Sequence, residues 1–348
     1  MSHRKIIFQT CCLVTAFGLL AVCLGMDARA GKPSRHASGP ETSPTHYKVV
    51  HGWPVLPENT ILDEASAVGI DSHDNVYILQ RGGRKWPDSD VLDQQPITVP
   101  TVFLFDGQTG RLLSKWGENA FALPHSLTVD LNDNIWVTDV AWHQVFKFSH
   151  DGRLLLKVGE RGKPGDDSSH FNRPTDVAVA PDGSFYVSDG YGNSRVLKFG
   201  ADGKFLLQWG TKGKESGQFD LPHGIALDAA GRLYVVDRKN ERVQVFDSNG
   251  KYLTEWKSPH FASPQDIKIA DDGTVFVAEG GNDKLPDRTG ILVLRLDGSL
   301  IERIGRYGNY DGQFQDLHWV AVGKRGQVYA ADFTGRRVQK FVRSESAR

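Results

Sequence analysis

The sequence predicts an all-β chain, a six-bladed β-propeller closed by an N-terminal strand, on three observations. Six self-similar copies recur at a period of roughly 40–60 residues, which marks a repeat architecture. Within each copy, apolar residues alternate at period two between Gly, Asn and Asp turns, and no stretch beyond the N-terminus has helical periodicity. The sixth copy stops after its third strand, at Phe341 or Val342, so one strand must come from elsewhere.

The copies open at Ala65, Leu123, Arg173, Leu221, Ser263 and Asp316. In the fourth, an apolar run (IALD) meets a polar turn (AAGR), a second run (LYVVD), a loop (RKNE), a third run (RVQVF), a turn (SNGK) and an outer strand, YLTEW. Four-stranded units repeated around a channel describe a propeller. The outer strand missing from the sixth copy is expected from HYKVVHGWPVL, His46 to Leu56, which hides the edge between last and first blades. The first copy is interrupted by an insertion, Gly82 to Pro100. Long loops on one propeller face build binding sites.

Residues 1–30 read as a secretory signal peptide: a basic head (MSHRK), an apolar run from Ile6 to Met26, and Ala28-Arg29-Ala30 as an A-x-A cleavage signal. A secreted or periplasmic protein is therefore expected, without stable membrane association unless the apolar run stays uncleaved as an anchor. Leu20-Ala21-Val22-Cys23 is a poor lipoprotein signal, because Val precedes the Cys. Residues 31–45, rich in Gly, Ser, Pro and Thr, read as a disordered lead-in; 46–343 form the propeller and 344–348 a tail. One closed ring is expected as a monomer.

All three cysteines (Cys11, Cys12, Cys23) and both methionines (Met1, Met26) fall in the leader. The remainder has no disulfide, no thiolate nucleophile and no sulfur ligand, so a metal must use His, carboxylate or carbonyl. The net charge is −1. Loss of the leader removes three basic residues and one acidic, leaving 38 against 41. That balance argues against nucleic-acid binding through a basic face.

Aligned copies place Ser66, His125, Thr175, His223, Gln265 and His318 at one position near the entry of the innermost strand. The histidines of blades two, four and six then point at one axis, about 120° apart. Three imidazoles with an open fourth position are the ligand set of a catalytic zinc site. A lone His at this position would be a strand-entry cap; threefold phasing favours a shared metal. His143 reads as a hydrogen-bonding turn residue. Asp139, Asp189, Asp237 and Asp332 recur after the second strand and read as structural, paired with Arg195, Arg242 and Arg337.

The best copy, GQFDLPHGIALDAAGRLYVVDRKNERVQVF, resembles the NHL repeat. Together, LPHSLTVDLNDNIWVTDVAWHQVFK, HFNRPTDVAVAPDGSFYVSDGYGNSR and GQFDLPHGIAL resemble the peptidyl-α-hydroxyglycine α-amidating lyase family, over nearly the whole stretch from Ala65 to Phe341. The resemblance implies a six-bladed propeller with zinc on His125, His223 and His318. It also implies an active-site arginine at Arg81, a catalytic tyrosine at Tyr191 and a second active-site arginine at Arg238. The substrate it implies is a peptide or small molecule ending in α-hydroxyglycine, cleaved to an amide and glyoxylate. Tyr191 then acts as base toward the substrate hydroxyl, its phenol pKa lowered by Arg81.

The chain departs from the family pattern in several places. The resemblance implies a structural calcium (Ca2+) on the backbone carbonyls of Val68 and Leu127, supported by an Asp after the blade-six histidine. Trp319 stands at that position, and carbonyls alone make a weak calcium site. Asp316 replaces a methionine, and Asn172 and Gly192 replace the family's disulfide cysteines. Two other functions fit the repeat: a metal-dependent propeller hydrolase, which favours a carboxylate-rich site, and a non-catalytic NHL binding module, which needs no metal.

Overall fold

The computed structural model describes residues 46–87, 91–282 and 285–344. The leader expected over 1–30, the lead-in over 31–45, the insertion tip at 88–90 and residues 345–348 of the tail lie outside the described residues.

Six four-stranded antiparallel sheets follow one another along the chain. Blade 1 consists of Ala65–Ile70, Val76–Gln80, Val102–Phe105 and Leu112–Trp116. Blade 2 is Pro124–Val129, Ile135–Asp139, Gln144–Phe148 and Leu154–Val158. Blade 3 is Asp176–Val179, Phe185–Asp189, Arg195–Phe199 and Phe205–Trp209. Blade 4 is Pro222–Leu227, Leu233–Asp237, Arg242–Phe246 and Tyr252–Lys257. Blade 5 is Pro264–Ile269, Val275–Glu279, Gly290–Leu294 and Leu300–Ile304. Blade 6 joins Leu317–Val322, Val328–Asp332 and Arg337–Arg343 to the N-terminal strand Tyr47–Val50.

That last pairing, Tyr47 opposite Arg343 through Val50 opposite Lys340, closes the ring as the sequence predicted. Only four residues of the expected segment form the strand; the rest runs on to blade 1, where Val55 donates its N–H to the Gly110 carbonyl (2.9 Å). Trp53 packs between the blades, its ring 4.7 Å from Tyr329 and 6.3 Å from Phe105.

The second strands are buried throughout, because neighbouring blades cover both of their faces, and the outer strands are largely exposed. Trp116, Trp209 and Trp256, in the outer strands of blades 1, 3 and 4, each lie over a turn glycine of the following blade. A Cβ at Gly152, Gly250 or Gly298 would come within 2.8, 2.5 or 2.4 Å of the indole, so these turns admit no side chain.

At the ends of the second strands, the recurring aspartates tie the blade tops together. Asp139 accepts the N–H groups of Ala122, Leu123 and Trp142 at 2.7, 3.0 and 2.8 Å. Asp189, Asp237 and Asp332 pair with Arg195, Arg242 and Arg337 at 3.0, 2.9 and 3.1 Å, the partners expected from their recurrence. His143 is a turn residue whose Nδ1 accepts the Arg173 N–H (3.0 Å). The first strands line the channel. Those of blades 1, 2, 4, 5 and 6 slip register at their entry, at Ser66, His125, His223, Gln265 and His318. A bulge of this kind re-aims side chains, and here it sits where the histidines enter the channel.

Candidate functional site

His125, His223 and His318 meet in the channel, with ring centroids 4.8, 4.9 and 5.2 Å apart and ligand atoms all within 4.8 Å of one another. Among the described residues no other group of His, Cys, Asp and Glu is so placed. Each imidazole is fixed by the blade that follows it. His125 Nδ1 donates to the Thr175 carbonyl (2.7 Å), His223 Nδ1 to that of Gln265 (2.6 Å), and His318 Nδ1 to that of Ser66 (2.6 Å). The acceptors are the aligned residues of blades 3, 5 and 1. With Nδ1 protonated, Nε2 of each ring carries a bare lone pair toward the axis.

Burial drives all three imidazoles toward the neutral form: His125 and His223 are held well below the usual value, and His318 is pushed down to about 3. The Tyr191 hydroxyl lies 3.0 Å from both His125 Nε2 and His223 Nε2. It has one proton, and so can satisfy only one of them. Three imidazole lone pairs and a phenol oxygen thus converge with a single proton among them. That surplus of acceptors in a buried site fits a cation, and three neutral imidazoles with an open position fit a zinc-type ion.

Tyr191, Arg81 and Arg238 all follow the second strand of their blades, 3, 1 and 4, by one or two residues. They line one cavity of about 620 Å³ with Trp86, Asp316, His318 and Phe333. Arg81 is buried; its Nε donates to the Pro124 carbonyl (3.3 Å), and its guanidinium lies 4.7 Å from the Phe333 ring centre and 5.6 Å from that of Trp86. Trp86 also packs on Tyr191, at 4.7 Å. Arg238 Nε donates to Ser263 Oγ (3.1 Å). Among the described residues neither guanidinium has a carboxylate within ion-pair distance.

The structure brings together every residue expected of the metal and catalytic set, and it corrects two expectations. First, the Tyr191 pKa is raised, not lowered: burial is the largest influence, Arg238 opposes it next, and Arg81 only after that. Second, the residues at the expected calcium site do not fit calcium. Val68 and Leu127 are buried in one apolar cluster with Trp319, which stands where the resemblance implies a carboxylate ligand. The former cysteine positions remain neighbours, Gly192 N–H to the Asn172 carbonyl at 2.9 Å, without sulfur.

Trp86, Phe333 and Ser263 were not singled out from the sequence. Phe333 has a readable signal, since it occupies in blade 6 the position that Arg81 and Arg238 hold in blades 1 and 4. Trp86 lies in the insertion, where no aligned copy exists.

Fold and channel together define a propeller enzyme class in which one ring-centred, three-histidine site opens beneath a charged cavity. The NHL repeat model matches residues 171–199 and 219–246. Peptidyl-alpha-hydroxyglycine alpha-amidating lyase 2 of Drosophila melanogaster is 33% identical over 316 residues, covering 84% of this chain and 75% of that protein. Peptidyl-glycine alpha-amidating monooxygenase B of Xenopus laevis is 33% identical over 331 residues, covering 90% of this chain and 38% of that protein. The chain thus spans well under half the length of such monooxygenases. A solved streptogramin B lyase, 17% identical, superposes with a TM-score of 0.58 over 86% of this chain and 98% of that one, a likeness of fold alone. The chain belongs to the peptidyl-α-hydroxyglycine α-amidating lyase family.

Proposed function

We propose that the chain is a zinc-dependent lyase that cleaves a peptidyl- or N-acyl-α-hydroxyglycine to an amide and glyoxylate. The observation that carries this reading is the Tyr191 oxygen, 3.0 Å from two converging imidazole nitrogens and acted on by the guanidiniums of Arg238 and Arg81.

The reaction breaks the substrate's O–H and C–N bonds, forms the C=O of glyoxylate and leaves a proton on the amide nitrogen. Tyr191 takes the hydroxyl proton and returns it to the departing nitrogen. Burial alone would keep it a phenol, so the charges around it matter: Arg238 and Arg81 both favour the phenolate. A divalent ion, if held by His125, His223 and His318, would supply further positive charge favouring the Tyr191 phenolate. Arg238 and Arg81 receive the substrate carboxylate, a planar anion suited to guanidinium. The trio of imidazoles lacks the carboxylates that a propeller hydrolase of the rival class would bring to its metal. The A-x-A leader supports action outside the cytoplasm, secreted or periplasmic.

Metal analysis of the purified chain, coupled to glyoxylate release from α-hydroxyhippurate, tests the reading. One zinc per chain with zinc-dependent glyoxylate is expected. Zinc without glyoxylate sinks the reaction and keeps the site; neither sinks both.

A further inference from the structure

One residue deeper than the histidine ring, the aligned positions are Ala67, Ser126, Asp176, Gly224, Asp266 and Trp319. Asp176 and Asp266 are wholly buried, and each accepts a backbone N–H from the following blade, Ile225 at 3.0 Å and Val320 at 3.1 Å. Seams 3–4 and 5–6 are therefore closed by carboxylates, while seams 2–3, 4–5 and 6–1 are closed by the imidazoles. Gly224 makes the approach possible: a Cβ there would stand 2.6 Å from the Asp266 Cα. The remaining seam, 1–2, has Ala67 at this level. It is where calcium was expected, and the Trp319 indole packs there.

Burial pushes both carboxyls toward the neutral form, and a cation between them opposes that shift. Lys268 Nζ lies 2.6 Å from Asp266 Oδ1 on its own blade and 3.9 Å from Asp176 Oδ2 on blade 3. Blades 3 and 5 are not neighbours, so the ammonium reaches across the channel. It also lies 5.1 Å from the Trp319 ring centre, within cation–π range. That indole in turn lies 5.3, 5.7 and 6.1 Å from the rings of His318, His125 and His223. An unbroken series of contacts runs from ammonium to indole to all three imidazoles.

We propose that the Lys268 ammonium is a permanent axial cation, doing here what a second metal ion would do. It holds Asp176 and Asp266 together across the channel and presses Trp319 under the histidine ring, so the chain takes one metal ion and not two. Lys268 is then a positioning residue for the metal centre, two contacts removed from the ligands. The inference rests on the histidine ring alone and stands whatever the reaction proves to be.

The test uses the purified full chain, first without any substitution. With zinc bound, millimolar calcium and a calcium-selective chelator should leave the melting temperature unchanged; stoichiometric bound calcium, or a rise of more than about 3 °C with calcium, overturns the proposal. Lys268→Met is expected to lower the melting temperature by roughly 5–10 °C, the scale for a buried charge that loses its partner. The same variant should bind cobalt, followed by its visible spectrum, roughly 10-fold or more weaker, as disturbed supports of metal ligands do. Lys268→Arg should recover most of both losses. Should Lys268→Met not fold, Lys268→Met with Asp176→Asn removes one of the stranded charges and should fold, with the cobalt affinity still weakened. Unchanged melting in Lys268→Met, or wild-type cobalt affinity in whichever variant folds, overturns the positioning role.

Discussion

Two sets of buried or half-buried arginines crown this propeller, and they differ in what holds them. Arg195, Arg242 and Arg337 recur with the repeat, and each guanidinium is taken up by its own scaffold. Arg242 pairs with Asp237 and Glu255 at 2.9 and 2.7 Å and donates to the carbonyls of Lys214, Glu215 and Gln218. Arg81 and Arg238 stand one residue after the second strand in only two of the six blades. They have one carbonyl, the hydroxyls of Ser263 and Tyr191 and two aromatic rings between them, and no ion pair among the described residues. A buried cation without a carboxylate is costly to a fold. Where it persists beside a cavity, its open N–H groups are available to an anionic ligand. Recurrence marks the scaffold, and departure from recurrence marks the site.

The sharpest way to break that contrast is to remove a member of the open set. Arg81→Ala and Tyr191→Phe should each lower turnover by roughly 10²- to 10⁴-fold with zinc still bound, measured as glyoxylate release and metal content. Near-normal turnover in either variant would remove that residue from the reaction. The reverse is expected of the saturated set. Arg242→Met strands Asp237 and should cost about 3–5 kcal/mol in denaturant unfolding, while KM for the folded fraction stays unchanged. A variant that unfolds normally but loses substrate affinity would erase the distinction between the two sets.

How much of this was legible in the sequence follows the same division. Ring number, strand order, terminal closure, the aspartate–arginine pairs and the histidine phase all depend on repetition, which a single sequence displays. The ties that orient the histidines do not, because their acceptors are backbone carbonyls of Ser66, Thr175 and Gln265, and a carbonyl carries no residue-type signal. Lys268 was invisible for a related reason: its partner Asp176 lies two blades away and only the closed ring brings them together. Tyr191 shows the limit of reasoning from neighbours. Arg81 was expected to govern its acidity, yet the larger influences are burial, which no sequence displays before the fold exists, and then Arg238.

The histidines stand between the two arginine sets, recurring on alternate blades like scaffold yet facing the site, with Nδ1 engaged by a carbonyl and Nε2 turned to the axis, where Tyr191 has one proton for two of them. A pH experiment on the metal-free protein tests that dual character. In the folded chain His318 is held down to about 3 by burial, against about 6.5 in an unfolded chain. Above about pH 6.5 neither state binds the proton, and the imidazole's contribution is fully present. As pH falls from there toward 3, the unfolded chain takes up a proton that the folded chain refuses, so stability is lost progressively. At about 1.4 kcal/mol per pH unit, the loss from His318 alone reaches about 2 kcal/mol at pH 5. His318→Gln removes this titration and keeps a polar side chain. With chelator present, its unfolding free energy should therefore fall less between pH 7 and pH 5 than that of the wild type. Equal falls would mean that His318 takes up a proton in the folded state as an exposed histidine does. The ring would then not hold its lone pairs bare for a metal, and the contrast between saturated and open groups would end at the arginines.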